Sequence, residues 1–349
     1  MKTTHKIVFG NANNMEEVPD SSIDLTVTSP PYPMIEMWDE SFSKKNPSIG
    51  EVLAAGNGKR AFELMNKELD KVWKEVYRVL RNGGFACINI GDATRTLNRN
   101  FALYNNHSRI LDYCSKLGFN SLPEILWRKQ TNAPNKFMGS GMLPSGAYAT
   151  LEHEYIIVLR KGNKREFKSK EDKLKRKQSA FFWEERNVWF SDIWEDLKGT
   201  KQANIDKSIR ERSGAYPFEL PYRIVNMFSL KGDIVLDPFL GTGTTTLACM
   251  TAARNSIGYE VDRNFKEHLL DRFKGAVDFS NQVLKTRIKN HLKFVKARTS
   301  MRENMGYSSK YYGFPVMTNQ ETEIYLDEAS RLIPKNCIFE VQYKEKPTV

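Results

Sequence analysis

Cysteine is scarce in this chain, and its few cysteines form no recognisable site. The 349 residues contain four cysteines without any Cys-x-x-Cys pair: Cys87, Cys114, Cys249 and Cys337. Neither a zinc site nor a disulfide framework is therefore indicated. Such sparing use of cysteine is typical of a reducing compartment. We expect a cytoplasmic protein that needs no metal.

Long apolar runs are also missing. No stretch approaches the roughly 20 apolar residues that a membrane-spanning helix needs. The N-terminus leads from Met1 into the strand-like Ile7-Val8-Phe9 without an apolar signal segment. Hydrophobic residues make up 40% of the chain and charged residues 27%, as in ordinary globular proteins. The composition predicts one large α/β domain or two domains, with no membrane partner.

Acidic residues are rare in two segments, which makes the charge uneven. Residues 161–178 contain nine Lys/Arg against three Asp/Glu, and residues 281–302 contain seven Lys/Arg and no acid. The whole chain carries +11, so these segments hold all of the excess charge. A near-neutral body with basic segments is typical of a protein that binds nucleic acid. Two solvated surface faces would give the same pattern.

Strand-like and helical segments alternate through most of the chain. Apolar runs predict strands at 5–10, 23–28, 85–90, 125–127, 155–159, 233–237 and 255–260. Apolar residues that recur every three or four positions predict helices at 62–80, 109–117, 217–229 and 247–253. This alternation favours a mostly parallel α/β sheet. Residues 129–150, rich in Gly and Pro, form a loop long enough to act as a lid or binding loop.

Two short stretches have the features of a site, and each follows a predicted strand. The first is Ser29-Pro30-Pro31-Tyr32, whose prolines neither extend a strand nor enter a helix. The second is Asp237-Pro238-Phe239-Leu240-Gly241-Thr242-Gly243-Thr244-Thr245. Its glycines allow a ligand to approach the backbone closely. The N-terminus of the helix that follows suits a carboxylate or a phosphate.

The second stretch indicates an adenosine-containing cofactor with an anionic end. Glu260 ends the next predicted strand, where dinucleotide-binding folds carry an acceptor for ribose hydroxyls. ATP is disfavoured because no lysine follows the glycines. NAD is weakened because Thr246 stands where a third glycine is expected. S-adenosylmethionine (SAM), with a carboxylate, a ribose and an adenine, suits the stretch best.

Together, the two stretches resemble the motifs of DNA amino-methyltransferases. Ser29–Tyr32 resembles their catalytic motif, Asp/Asn/Ser-Pro-Pro-Tyr/Phe/Trp, and residues 237–245 resemble their SAM-binding motif. The catalytic motif comes first, which is the β arrangement of this family. The resemblance covers about residues 5–270. It implies the Rossmann-like fold of SAM-dependent methyltransferases, an α/β fold with a mixed seven-stranded sheet, a reversed-hairpin edge and helices on both faces, plus DNA-recognition additions.

The resemblance divides the chain into four parts. Residues 1–160 are predicted to form the catalytic half of the methyltransferase domain, and 211–280 the SAM-binding half. The basic segment 161–210 is predicted to recognise the DNA target, with the loop 129–150 as a further candidate. Residues 281–349, which the resemblance does not cover, form a basic C-terminal extension that is another candidate for DNA contact. The residues predicted to bind the cofactor are Asn11, Thr28, Asp237, Phe239, Gly241, Gly243, Thr244, Thr245 and Glu260.

The catalytic turn suits chemistry on an exocyclic amine, whose lone pair is delocalised into the base. The Ser29 hydroxyl and the Pro30 carbonyl can accept from its two N–H groups and localise that lone pair. Pro30 and Pro31 hold the carbonyl in place, so that little reorganisation is needed. Tyr32 is predicted to stack on a base flipped out of the duplex. Asp92 is either a cap or a catalytic residue, and no general base is evident.

These features predict a site-specific methyltransferase that acts on the N4 amine of cytosine in double-stranded DNA. In the family, a serine at position 29 favours cytosine N4 and an aspartate favours adenine N6, so adenine-N6 methylation is the alternative. The resemblance implies a restriction-modification system, in which a cognate endonuclease is a genetic partner only. We expect the protein itself to be a monomer or a dimer. Two other functional classes stay open. The first is a non-catalytic nucleic-acid-binding protein, which would not bind SAM. The second is a nicotinamide-dependent oxidoreductase, which would have no affinity for DNA.

Overall fold

The computed structural model describes residues 1–129, 138–198, 216–301 and 305–345. Its strands are β1 (Lys2–Phe9), β2 (Ile23–Thr28), β3 (Leu80–Ile90), β4 (Ala93–Leu97), β5 (Asn100–Tyr104), β6 (Phe119–Ser121), β7 (Ile125–Arg128), β8 (Met138–Gly139), β9 (Ala147–Tyr148), β10 (His153–Lys161), β11 (Ile193–Trp194), β12 (Ile234–Asp237), β13 (Asn255–Glu260), β14 (Tyr307–Ser308), β15 (Pro315–Val316), β16 (Ala329–Lys335) and β17 (Ile338–Tyr343).

The α-helices, like the strands, are numbered in the order in which they occur along the chain. They are α1 (Asp39–Lys45), α2 (Ser48–Ala54), α3 (Gly58–Val79), α4 (Asn106–Leu117), α5 (Lys170–Gln178), α6 (Trp183–Trp189), α7 (Glu219–Phe228), α8 (Thr244–Thr251), α9 (Phe265–Lys274) and α10 (Ala276–Ser300). Short 3-10 turns cover Glu36–Trp38 and Asn319–Glu321. In the part of the chain described, no helix combines the length and the apolar character that crossing a membrane requires.

One mixed sheet organises the molecule, in the order β11-β7-β10-β3-β2-β12-β13-β1-β17-β16, with β6 also paired to β10. The five strands β3, β2, β12, β13 and β1 are parallel to one another. Strand β10 runs antiparallel between β3 and β7, which makes the reversed-hairpin edge. The seven strands from β7 to β1 correspond to the predicted sheet, and the predicted fold class is confirmed. Strands β11, β6, β16 and β17 extend it.

Apolar residues fill both faces of this sheet because neighbouring residues of a strand point to opposite sides. In β3, Ala86 and Ile88 pack in a core with α3 and α4, whereas Cys87 packs with α7 and α8 on the other face. Helix α3 begins where the Asn57 side chain accepts a hydrogen bond from the Arg60 N–H at 3.2 Å. Helices thus cover both faces and leave the strand ends to carry loops.

The C-terminal extension is an integral part of the sheet. Strand β17 pairs antiparallel with β1, and β16 pairs antiparallel with β17. Phe339 and Val341 are buried in a core with Ile7, and the Tyr343 hydroxyl donates to the Met250 carbonyl at 2.6 Å. The continuous helix α10 crosses the predicted boundary between 280 and 281, and the division of the chain into four parts stays a prediction.

The basic segment after β10 is anchored at the amino edge of the sheet, where the parallel strands begin. Lys161 Nζ donates to the carbonyl oxygens of Tyr77 and Leu80 at 2.6 and 2.8 Å. Arg165 forms ion pairs of 3.2 and 2.6 Å with Asp24 and Asp233, at the starts of β2 and β12. The predicted site residues follow the opposite ends of these strands. The position of 161–178 therefore does not favour the predicted recognition role, and residues 199–210 lie outside the described residues.

The later part of α10 also lies at the amino edge. Arg287 is 8% exposed and holds the Glu185 carboxylate at 2.5 and 2.7 Å. Leu284 and Ile288 pack with Phe182 in a satellite core. This core adjoins Lys231, which precedes β12. DNA contact by residues 281–349 stays a prediction, and this position does not favour it.

Candidate active site

Two neighbouring parallel strands bring the catalytic turn and the cofactor stretch to one place. Strands β2 and β12 pair directly, so both end at the carboxyl edge of the sheet. The Thr28 hydroxyl at the end of β2 donates to Asp237 Oδ1 at the end of β12, at 2.6 Å, across 209 positions of sequence. Ligands of open α/β sheets bind at such a crevice beyond the carboxyl ends of the strands.

Asp237 organises this junction from a buried position. Its carboxylate also accepts from the Thr245 hydroxyl at 2.5 Å and from the Phe239 N–H at 3.1 Å. Burial raises the pKa of Asp237, while the hydrogen bonds from Thr245 and Thr28 oppose that rise. The Tyr216 hydroxyl hydrogen-bonds to Thr245 in turn. The structure therefore gives Thr28, Asp237 and Thr245 an internal role, and their contact with SAM stays a prediction.

The two glycines of the cofactor stretch serve different purposes. Both have left-handed backbones, with φ +52° at Gly241 and +75° at Gly243. Among the described residues, a Cβ on Gly241 would meet only the Phe239 carbonyl, at 4.0 Å, so these residues leave room for a ligand to approach the backbone there. A Cβ on Gly243 would lie 2.6 Å from Leu269 and 2.8 Å from Phe273. Gly243 thus permits helix packing, which the sequence did not reveal. Thr244 is buried and begins α8.

Glu260 at the end of β13 faces the glycine loop. Its carboxylate accepts from the Gly241 N–H at 2.9 Å and from the Asp262 N–H at 2.8 Å. Burial raises the pKa of Glu260, and these backbone N–H groups oppose the rise. A carboxylate held in this way keeps acceptor positions for the hydroxyls of a ribose. Asn11 is exposed. It lies beside Glu260 because the N–H of its neighbour Gly10 donates to the Glu260 carbonyl at 2.9 Å.

These groups fit a ligand that combines a carboxylate, a ribose and an adenine. Gly241 offers open backbone, the N-terminus of α8 offers N–H groups for an anionic end, and Glu260 offers a ribose acceptor. Phe239 supplies an apolar wall and is braced by Trp73, with ring centroids 5.9 Å apart. Contacts of Asn11 and Phe239 with the cofactor stay predictions.

The catalytic turn is held by a network around the Tyr32 hydroxyl. That hydroxyl donates to Glu154 Oε2 at 2.8 Å and accepts from the Ser29 hydroxyl at 3.1 Å and from Asn89 Nδ2 at 2.9 Å. Burial and the neighbouring Glu154 carboxylate raise the pKa of Tyr32 well above its ordinary value. Tyr32 therefore remains a protonated phenol. Pro30 is buried, whereas Ser29, Pro31 and Tyr32 are half-buried.

Asn89 and Glu154 were missed by sequence reasoning. Asn89 is the penultimate residue of β3, and Glu154 is the second residue of β10, which runs in the opposite direction. Both therefore lie at the carboxyl edge. Lys129, just after β7, pairs with the other Glu154 oxygen at 2.9 Å. The available signal was a carboxylate at the start of the apolar run of β10, but its meaning depends on the direction of that strand.

Asp92 and Asp39 have structural partners. Asp92 Oδ1 accepts from the backbone N–H of His107 at 3.1 Å, at the start of α4, and its carboxylate also contacts the His107 ring at 2.8 Å. This arrangement favours the cap over the catalytic role. Asp39 holds Arg95 of the β4–β5 hairpin through bonds of 2.8 and 2.6 Å. It shapes the loop beside the site.

Comparisons with known proteins agree with this geometry. The family model described as DNA methylase matches residues 23–271. The chain is 51% identical to the type II methyltransferase M.MthZI of Methanothermobacter thermautotrophicus over 348 residues, which is 99% of this chain and 96% of that protein. The match includes nearly all of the C-terminal extension.

Two solved structures are similar. One is TTHA0409 of Thermus thermophilus, assigned as a DNA modification methylase and solved with S-adenosyl-L-methionine; its TM-score is 0.60 at 32% identity, over 78% of this chain and 96% of that one. The other is the cytosine-N4-specific PvuII DNA methyltransferase, with a TM-score of 0.53 at 16% identity over 81% and 94% of the two chains, a likeness that shows the fold alone. The chain therefore belongs to the N6/N4 DNA methylase family, as a type II DNA amino-methyltransferase that uses SAM.

Proposed function

We propose that this enzyme methylates the exocyclic N4 amine of cytosine at a specific site in double-stranded DNA, and so protects that DNA from a cognate endonuclease. The observation that carries the proposal is a neutral hydroxyl, Ser29, at the first position of the catalytic turn. In this family a serine there favours cytosine N4, and an aspartate favours adenine N6. The choice of base therefore depends on one residue.

The turn offers two fixed acceptors to a flipped base. The hydrogen of the Ser29 hydroxyl is directed to Tyr32, which leaves the oxygen lone pairs to accept from an amine. The Pro30 carbonyl supplies the second acceptor, and its position between two proline rings limits its movement. Bound SAM supplies a methyl group on a sulfonium. The turn contributes by orienting the amine and localising its lone pair.

The identity of the product nucleoside tests this proposal. Purified enzyme is incubated with labelled SAM and DNA of varied sequence, the DNA is digested, and the labelled nucleoside is identified. We expect N4-methylcytosine. N6-methyladenine would refute the choice of base, because the same two acceptors would then serve an adenine amine.

We further propose that the hairpins of the carboxyl edge form the DNA-contacting surface. The β4–β5 hairpin follows β3, and the β8–β9 hairpin lies between β7 and β10, so both project from the edge that carries the site. The Phe101 and Tyr148 rings join the hairpins by stacking at 4.7 Å. Residues 130–137 of the predicted binding loop lie outside the described residues.

The tip of the β8–β9 hairpin has the chemistry of a wedge. Met142 is 86% exposed and Leu143 is 68% exposed, although both are apolar. Arg99, exposed at the turn of the other hairpin, adds a positive charge to the same surface. Proteins that distort DNA insert apolar side chains between base steps. A wedge at the edge of the sheet that carries the catalytic turn would fill the gap that a flipped base leaves.

A further inference from the structure

The hydrogen bonds around Tyr32 run in one direction. Carboxylate oxygens only accept, so Asn89 must turn its NH₂ group toward Glu154 and the Tyr32 hydroxyl must donate to Glu154. The single Tyr32 hydrogen is then committed, so the contact of 3.1 Å between the two hydroxyls needs the Ser29 hydrogen. The Ser29 hydroxyl therefore donates to Tyr32, and the Tyr32 hydroxyl donates to Glu154.

The reaction produces a proton that this chain of bonds can carry. As the target amine attacks the methyl carbon, the new N–C bond forms and the C–S bond breaks, with its electron pair left on sulfur. The methylated nitrogen then holds one proton too many and a positive charge. Ser29 and the Pro30 carbonyl both accept from that amine in the proposed function, and of the two only the Ser29 hydroxyl has a proton of its own to pass on.

We propose that this proton reaches Glu154 through Ser29 and Tyr32. The amine proton moves to Ser29 Oγ, the Ser29 proton moves to Tyr32 Oη, and the Tyr32 proton moves to Glu154 Oε2. Each hydroxyl gains one proton and loses one, so only the carboxylate changes its charge. The inference rests on the proposed function only in that the substrate is an exocyclic amine.

The surroundings of Glu154 suit a terminal acceptor. Its side chain is 12% exposed, and Lys129 Nζ forms a charge-assisted contact with Oε1 at 2.9 Å, which leaves Oε2 to face Tyr32. Lys129 itself is 48% exposed and connects the carboxylate with solvent. Tyr32 passes a proton without ionising, because burial and Glu154 raise its pKa. Tyr216 is a further titratable group that raises the pKa of Tyr32.

The test combines two conservative variants in a double-mutant cycle. Glu154→Gln removes the proton acceptor but keeps the size of the side chain, and Tyr32→Phe removes the hydroxyl but keeps the ring for stacking. We expect the single-turnover rate of methyl transfer to fall by about 10²-fold or more in each variant. The double variant should be no slower than the slower single variant, because both interrupt one pathway.

Binding measurements and a control separate this role from a structural one. The affinities for SAM and for DNA should stay within about two-fold of wild type, since only the proton transfer is removed. Glu152→Gln, a carboxylate two positions away that pairs with exposed Arg128, should keep the wild-type rate. Full activity of Glu154→Gln, additive losses in the double variant, or lost SAM binding would each overturn the relay. A product of N6-methyladenine would refute only the choice of cytosine, since the cycle is measured on whichever amine is methylated.

Discussion

The two edges of the central sheet use polar residues in opposite ways. At the carboxyl edge, the Ser29, Tyr32 and Glu154 side chains form a directed chain of hydrogen bonds that begins at the catalytic turn. At the amino edge, Arg165 neutralises Asp24 and Asp233, which are 4% and 3% exposed. In the proposed function, the carboxyl edge directs acceptors toward a substrate, whereas the amino edge holds basic residues against the starts of the strands. A cluster of basic residues in a sequence is therefore not in itself a DNA-binding surface.

The largest expected effect lies at the carboxyl edge. Ser29→Ala removes one of two acceptors for the amine and the first member of the proton pathway. We expect the single-turnover rate of methyl transfer to fall by about 10²–10³-fold, as when one fixed polar group of an oxyanion hole is removed. The affinity for SAM, measured by calorimetry, should not change. Full activity would remove Ser29 from the reaction.

The next effect, at the amino edge, concerns stability alone. Arg165→Ala leaves two buried carboxylates with less compensation, so the free energy of unfolding should fall by about 3 kcal/mol. Denaturant titration measures this loss. Lys168→Ala, a control in the same segment with an 87% exposed side chain, should change stability by less than about 0.5 kcal/mol. If Arg165→Ala lowered the affinity for DNA without lowering the stability, Arg165 would act in DNA binding. That result would contradict the comparison of the two edges.

A smaller effect is expected at the tip of the β8–β9 hairpin. Replacing Met142 and Leu143 together by alanine should weaken DNA binding by about tenfold, because the wedge that offsets lost base stacking is removed. The affinity for SAM and the stability should not change. Met301→Ala alters another exposed methionine, 70% exposed at the end of α10, and should leave DNA binding unchanged. Equal DNA affinity in all variants would exclude the wedge.

The smallest effect is expected from the exposed lysines of α10. They recur along one helical stripe: Lys285, Lys289, Lys293 and Lys296. Replacing all four by glutamine should change DNA affinity by less than about two-fold and leave its salt dependence unaltered, because the later part of α10 lies at the amino edge. If α10 binds DNA instead, the slope of log affinity against log salt should become shallower in this variant, by about 0.9 for each phosphate that is no longer neutralised.

Most of the fold was predictable because its signals are local. The apolar runs at 23–28 and 233–237 correspond to β2 and β12, and the alternation of strands and helices predicted the α/β class. The reversed-hairpin edge came from family resemblance. The added strands β16 and β17 were not predicted, since β17 pairs with β1, an edge more than 300 positions away in sequence, and β16 pairs in turn with β17.

The site was predictable where a motif carries its own chemistry. Each motif was predicted to follow a strand, and the parallel pairing of β2 with β12 brings Ser29–Tyr32 and Gly241 to the same edge of the sheet. Gly243 is predicted to contact the cofactor, and the structure adds close packing against Leu269 and Phe273, which the sequence did not reveal. Packing of this kind has no local sequence signal, because the partner belongs to a helix some 25 residues later.

The sequence by itself determined the family, the cofactor and the two motifs, since each depends on residues adjacent in the chain. Only the tertiary structure decided which edge holds the basic segments and which carboxylate faces the Tyr32 hydroxyl. Glu154 reaches the site because β10 runs antiparallel to β3, which brings its start beside Asn89 at the end of that strand. Strand direction and burial select the partners of a charged residue, and both arise from contacts between distant parts of the chain.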